Sequence, residues 1–145
     1  MIKEDYVSFE VAKLLKDNGF DGECRMKYFE HDKQMSYHVP NPSDIFDFTT
    51  NRKKLETLSK KNHCEYCLCP TLQMALKWLR LFHDIIIDVS PNLTLNDVCK
   101  GGFMAEVYQY GNIVPDGEFG CNIGDDYTYE QVVEAALLYV LKNLI

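Results

Sequence analysis

Four residues with metal-binding or nucleophilic side chains lie close together in the sequence, in the order His63, Cys64, Cys67 and Cys69. Imidazole and thiolate groups at such short spacing are typical ligands of a tetrahedral zinc ion. The spacing therefore allows a zinc-stabilised binding module that uses all four residues as ligands. A structural zinc site usually draws two ligand pairs from separate turns, and the chain has no second C-x-x-C pair. Buried or incidental thiols are the alternative interpretation.

Cys69 is also the candidate nucleophile of a cysteine-dependent enzyme. It precedes Pro70, a residue that suits the first turn of a helix, and the dipole of a helix stabilises a thiolate at its N-terminus. His38, His63 or His83 would then supply the general base. The alternative is a small apolar side chain that fills space at the start of the helix. The sequence contains no phosphate-binding loop, dinucleotide-binding glycine pattern, nucleophile elbow or calcium loop, so no other enzyme class is indicated.

The segment after these cysteines predicts a strongly apolar helix that leads directly into a buried strand. The strand is indicated by the β-branched residues Ile85–Ile87 and Val89, and His83 and Asp84 mark the junction. Two apolar stripes run along the helix, the first formed by Leu72, Ala75, Leu76, Leu79 and Phe82 and the second by Met74, Trp78 and Leu81. A helix with so narrow a polar face is packed on most of its circumference. Met74, Trp78 and Leu81 are therefore a candidate interaction surface for a partner or a second copy.

The other segments predict a single α+β domain over residues 1–145. Its elements are a helix over residues 9–17 capped by Ser8, a hairpin of Lys27–His31 with Met35–Val39, a strand over Phe103–Tyr110 and a C-terminal helix whose capping box is Thr128 with Gln131. The Phe103 strand is expected to pair antiparallel with the Ile85 strand. Pro115-Asp116-Gly117 predicts a turn. The expected fold is a small, mainly antiparallel sheet packed on one face by the Trp78 helix and the C-terminal helix, with the N-terminal helix at an edge.

A basic segment lies within residues 43–63 and is expected at the surface. Its cations are Arg52, Lys53, Lys54, Lys60 and Lys61. One interpretation is a docking site for an anion or an acidic partner, and the other is a solvated loop or short helix.

Charge and composition exclude several classes of protein. Of the 145 residues, the first 83 carry 13 Lys and Arg against 12 Asp and Glu, whereas residues 84–145 carry 2 against 10. The net charge of −7 argues against binding to a phosphate backbone. No apolar run is long enough to cross a membrane and no apolar signal segment begins the chain, so we expect a cytoplasmic protein with six reduced cysteines and no membrane partner.

Three segments carry a resemblance to known proteins. The motifs VSFEVAKLLKDNGFD, CPTLQMALKWLRLFHDIIIDV and YTYEQVVEAALLYVLKNLI cover about 55 of the 145 residues. In this order they resemble a group of small uncharacterised proteins from gut anaerobes and their phages and mobile elements. The resemblance implies an accessory or regulatory role. We therefore expect a non-enzymatic interaction protein without a cofactor, which binds a protein partner or itself, ahead of the zinc-stabilised module and the cysteine-dependent enzyme.

Overall fold

The computed structural model describes residues 4–37, 49–92, 102–121 and 126–145. They form helices and two antiparallel three-stranded sheets, so the predicted α+β class is confirmed. The chain divides into two compact units, residues 1–74 and 75–145, and the single domain expected from the sequence stays a prediction. The boundary between the units falls within one helix, α3 (Leu72–His83).

Unit 1 contains a sheet that carries two helices. Its elements are α1 (Phe9–Asp17), β1 (Met26–Phe29), β2 (Met35–Tyr37), α2 (Arg52–Asn62), β3 (Tyr66–Cys69) and the start of α3. The strand order is β2-β1-β3, and both pairs are antiparallel. Helices α1 and α2 both pack on β3. The predicted N-terminal helix is confirmed, with the Ser8 side chain accepting a hydrogen bond from the Val11 N–H, and so is the predicted hairpin within the described residues.

Unit 2 contains the rest of α3 followed by a second sheet and one helix. These elements are β4 (Ile85–Pro91), β5 (Phe103–Gln109), β6 (Asn112–Phe119) and α4 (Tyr129–Asn143). The strand order β4-β5-β6 is antiparallel throughout, so the predicted pairing of the Ile85 and Phe103 strands is confirmed. Helix α4 packs on all three strands through a wide apolar face. Thr128 and Gln131 form the predicted capping box.

The junction between α3 and β4 follows the predicted course. The helix ends at His83, the strand begins at Ile85, and the single residue between them, Asp84, has a left-handed backbone with φ of 54°. Aspartate tolerates this conformation better than most residues because its short polar side chain bonds locally. Three β-branched residues in a row then favour extended structure over further helix.

Residues 66–69 form a strand, so Cys69 ends a strand, whereas the sequence predicted that either Cys69 or Thr71 caps the helix that follows. All four side chains of β3 are buried, and the strand pairs with β1 along its whole length. Helix α3 begins only at Leu72, where the Thr71 hydroxyl accepts a hydrogen bond from the Met74 N–H at 3.2 Å. Cys69 is therefore not a helix cap, and the tertiary pairing with β1 decides the conformation of this segment.

The turn predicted at Pro115-Asp116-Gly117 is wrong, because these residues lie inside β6. The strand tolerates proline because it is at the edge of its sheet, where one side of its backbone needs no partner. Gly117 is buried, and a Cβ atom there would lie only 2.8 Å from Cβ of Val107. The first part of the predicted basic segment, residues 43–48, lies outside the described residues.

Candidate functional site

The cluster of histidine and cysteines is divided between an exposed loop and a buried strand. His63 ends α2 in the left-handed conformation, and both it and Cys64 are exposed. The Cys64 thiol donates to the carbonyl of Asn62. Cys67 and Cys69 are at most 1% exposed in β3.

Each of the two buried thiols donates a hydrogen bond to a different residue. Cys67 donates to a Glu30 carboxylate oxygen at 3.6 Å, and Cys69 donates to the Val7 carbonyl at 3.7 Å. In the part of the chain that the structure describes, no group of three or more His, Cys, Asp or Glu side chains is arranged to hold a metal ion. The geometry thus adds no support to the zinc module, which stays a prediction.

Cys69 does not lie where the sequence analysis placed the candidate nucleophile. It lies at the end of a strand instead of a helix N-terminus, so the helix dipole that the sequence analysis invoked is absent. Burial raises the pKa of its thiol to about 12, although a hydrogen bond involving Tyr28 works in the opposite direction. Burial likewise raises the pKa values of Cys24 and Cys67 to about 12. Of the proposed bases, His38 lies outside the described residues.

The three residues predicted to form an interaction surface on α3 differ in exposure, and the last of them along the helix is the most exposed. Met74 and Trp78 are half-buried, whereas Leu81 is 62% exposed. The Trp78 ring meets the His83 ring edge to face, with centroids 4.5 Å apart. None of the three predicted residues is fully buried. Phe82, which the sequence analysis placed on the packed stripe, is 72% exposed because it lies in the last turn, where the chain leaves the helix for β4.

These exposed residues belong to a surface of unit 2 on which apolar and polar side chains are mixed. Leu81 and Phe82 line a shallow cavity of about 350 Å³ together with Tyr110, which is 70% exposed, and Leu144. We call these four residues the Leu81 patch. Arg80, His83, Asp84 and Gln109 form its polar rim. The pairing of β4 with β5 brings Tyr110 beside Asp84, whose carbonyl accepts a hydrogen bond from the Tyr110 N–H at 3.1 Å.

Unit 1 contains a larger cavity, of about 580 Å³, between α1, α2 and β3. We call it the unit 1 cleft. Its residues are Ala12, Lys16, Phe20, Arg52, Leu55, Glu56, Ser59, Lys60, His63, Cys64, Glu65, Tyr66 and Leu68. The basic segment that the sequence analysis assigned to the surface thus supplies one wall, since Arg52 and Lys60 lie on the face of α2 that borders the cleft. Lys53, Lys54 and Lys61 are not part of it.

Charged side chains around the cleft are mostly paired. The Lys16 ammonium lies 3.3 Å from Glu65 and 3.3 Å from Glu30, and Arg52 lies 3.4 Å from Glu56. Burial disfavours the charged form of Glu30, but hydrogen bonds from Lys13 and the attraction of Lys16 outweigh it and lower the pKa of this carboxyl.

Comparisons with known proteins find no match for this chain. No family model matches the chain, and neither a curated protein nor a solved structure is similar to it. Among the described residues, no helix combines the length and the apolar character needed to cross a membrane.

Proposed function

We propose that this chain is a non-enzymatic accessory or regulatory protein of the cytoplasm that acts by associating with protein through the Leu81 patch. One observation carries the proposal: three large apolar side chains, Leu81, Phe82 and Tyr110, are each more than 60% exposed around one cavity. Single exposed apolar residues are common on soluble proteins, but adjacent ones mark interaction surfaces. The resemblance to proteins of phages and mobile elements supports an accessory role and such an origin.

The chemistry of the patch favours burial against another apolar surface. Complete burial of one Phe or Tyr side chain removes roughly 150–250 Å² from water. The gain is roughly 25 cal/mol for each Å² of apolar area, and the Tyr110 hydroxyl stays free to bond at the rim. Aromatic residues of this kind are typical of the centre of protein interfaces.

The rim indicates that the occupant is a second copy of this chain. Arg80 and Asp84 are both exposed and carry opposite charges at the border of the same patch. In a two-fold arrangement the same patch meets itself, so Arg80 of one copy could face Asp84 of the other. An acidic unit 2 also supports a protein partner over a nucleic acid.

Sedimentation velocity across a range of concentrations tests this proposal. We expect wild-type protein to dimerise, and the double variant Leu81→Ser/Phe82→Ser to stay monomeric. Ile113→Ser is the matched control, because Ile113 is 49% exposed in unit 2 but does not line the patch. Arg80→Glu should weaken the dimer by several-fold, and more so at low salt. A wild-type monomer at all concentrations, or a dimer that survives the double substitution, would refute the proposal.

A further inference from the structure

We propose that the unit 1 cleft binds a small organic carboxylate with an aliphatic or aromatic body. The cleft is separate from the Leu81 patch, since all its lining residues belong to unit 1. Its volume of about 580 Å³ falls within the roughly 300–1,000 Å³ of ligand cavities. The two proposals therefore stand or fall separately.

The base of the cleft is apolar. Phe20, Leu55, Tyr66 and Leu68 line it, and each is at most 6% exposed. The Tyr66 hydroxyl accepts a hydrogen bond from the Asn62 amide at 3.0 Å and keeps its own O–H as a donor. Such a surface matches a hydrocarbon chain or an aromatic ring, which gains free energy by leaving water.

The polar groups that face the cleft select the charge of the ligand. The ammonium of Lys16 and the guanidinium of Arg52 are engaged by Glu65 and Glu56. Lys60 also lines the cleft, and within the described residues no carboxylate pairs with it. Lys60 is therefore the cation left for a ligand, and a carboxylate is the group that complements it.

The arrangement along α2 brings further donors to the same wall. Ser59 and His63 line the cleft beside Lys60, at positions one residue before and three residues after it. A hydroxyl and an imidazole next to an ammonium offer hydrogen bonds to a single carboxylate head group. The apolar base would then hold the body of the same ligand, so that head and body are recognised by different parts of one cavity.

Calorimetric titration of the full chain with decanoate, below the concentration at which it forms micelles, tests the inference. We expect saturable binding of one decanoate per chain. Octanoate should bind more weakly, by up to about fourfold for each methylene removed. Decylammonium should bind at least tenfold more weakly than decanoate, because its charge is repelled by Lys60.

Two variants locate the site. Lys60→Gln removes the charge but keeps a polar side chain, leaves the fold intact because Lys60 is exposed, and should weaken decanoate binding by about fivefold. Lys61→Gln is the matched control, since it removes the same charge from the next residue outside the cleft. Ser59→Phe, checked for folding by circular dichroism, should fill the cleft and abolish binding.

Three results would overturn the inference. The first is no decanoate binding at millimolar concentration. The second is equal affinity for decylammonium, which would show that the charge is not recognised. The third is equal weakening by Lys60→Gln and Lys61→Gln, which would show attraction to α2 as a whole instead of a site in the cleft.

Discussion

The thiol of Cys67 donates a hydrogen bond to a carboxylate oxygen of Glu30, with 3.6 Å between sulfur and oxygen. The same oxygen lies 3.0 Å from the Lys13 ammonium and 3.3 Å from that of Lys16. A residue that the sequence offered as a zinc ligand is thus part of a network that joins β3 to α1.

The buried thiols should resist alkylation in the native protein. Burial raises the pKa values of Cys24, Cys67 and Cys69 to about 12 from the ordinary value of 9.0, which leaves about a thousandfold less thiolate at pH 8. We expect iodoacetamide to modify the exposed Cys64 first and these three residues only after unfolding. Peptide mapping by mass spectrometry over time measures the rates, with urea-unfolded protein as the control. Rapid modification of Cys69 would restore the cysteine-dependent enzyme as a hypothesis.

Removal of metal should leave the stability unchanged. Cys67 and Cys69 bond to Glu30 and Val7, and no described cluster of side chains is arranged to hold an ion. We therefore expect the same melting temperature before and after treatment with a chelator, in wild type and in Cys64→Ser. Plasma mass spectrometry of untagged protein gives the metal content independently. One zinc per chain, together with a lower melting temperature after chelation, would establish the zinc-stabilised module instead.

Glu30→Gln should destabilise the protein at neutral pH but not in acid. The pKa of Glu30 is lowered in the folded state, so its charged form contributes stability above its ordinary pKa of 4.5, and this stability is lost as pH falls through the folded pKa. We expect a loss of about 1 kcal/mol at pH 7. Urea unfolding at pH 7 and at pH 3 measures it.

Glu65→Gln provides the matched control for this network. Glu65 also pairs with Lys16, but its side chain is 70% exposed whereas that of Glu30 is 15% exposed. Water screens the exposed pair, so its loss should cost less than about 0.5 kcal/mol. Equal effects of the two substitutions at pH 7 would contradict the importance of burial at Glu30.

Local signals in the sequence predicted much of this fold, and tertiary pairing produced the remainder. The capping box at Thr128 and the alternation of β5 depend on neighbouring residues, so they can be read directly from the chain. The contact of Cys67 with Glu30 joins residues 37 positions apart, and nothing local indicates it. The unit 1 cleft could not be predicted either. Leu55 is the only buried residue of α2, so this helix has no clear apolar face in the sequence that would indicate a cleft beside it.

Glu106→Gln should stabilise unit 2. Glu106 lies directly opposite Asp88 on one side and Glu118 on the other, and like charges placed across strands repel. Glutamine can still accept the hydrogen bond that the Tyr108 hydroxyl donates at 2.9 Å. We expect a gain of about 0.5 kcal/mol at low salt that disappears in 1 M salt. Thermal unfolding at two salt concentrations measures it.

Glu118→Gln tests the same repulsion at the end of this row of carboxylates. Glu118 lies on the edge strand β6 and has only Glu106 as a directly opposite carboxylate, so its substitution should give about half the gain. A loss of stability in both variants would show that the carboxylates do not repel one another in the folded protein.

Gly117→Ala should destabilise the protein through overpacking alone. An added Cβ would lie 2.8 Å from Cβ of Val107 and 3.2 Å from Cβ of Val114, and neither atom can move without its backbone. The backbone of Gly117 is not in the left-handed region, so no conformational strain contributes. Overpacking of this kind costs roughly 1–3 kcal/mol. Urea unfolding measures the change in the free energy of unfolding.

Gly111→Asn separates this steric effect from the general effect of replacing a glycine near β6. Gly111 has a φ of 78°, which asparagine tolerates, and a Cβ there meets no atom within 4 Å. We expect its free energy of unfolding to stay within about 0.5 kcal/mol of wild type. The double variant Gly117→Ala/Val107→Ala should not recover the loss, since alanine keeps the Cβ atom of residue 107 that lies 2.8 Å from the new Cβ. If Gly117→Ala is as stable as wild type, β6 does not approach Val107 of β5 as closely as the 2.8 Å distance requires.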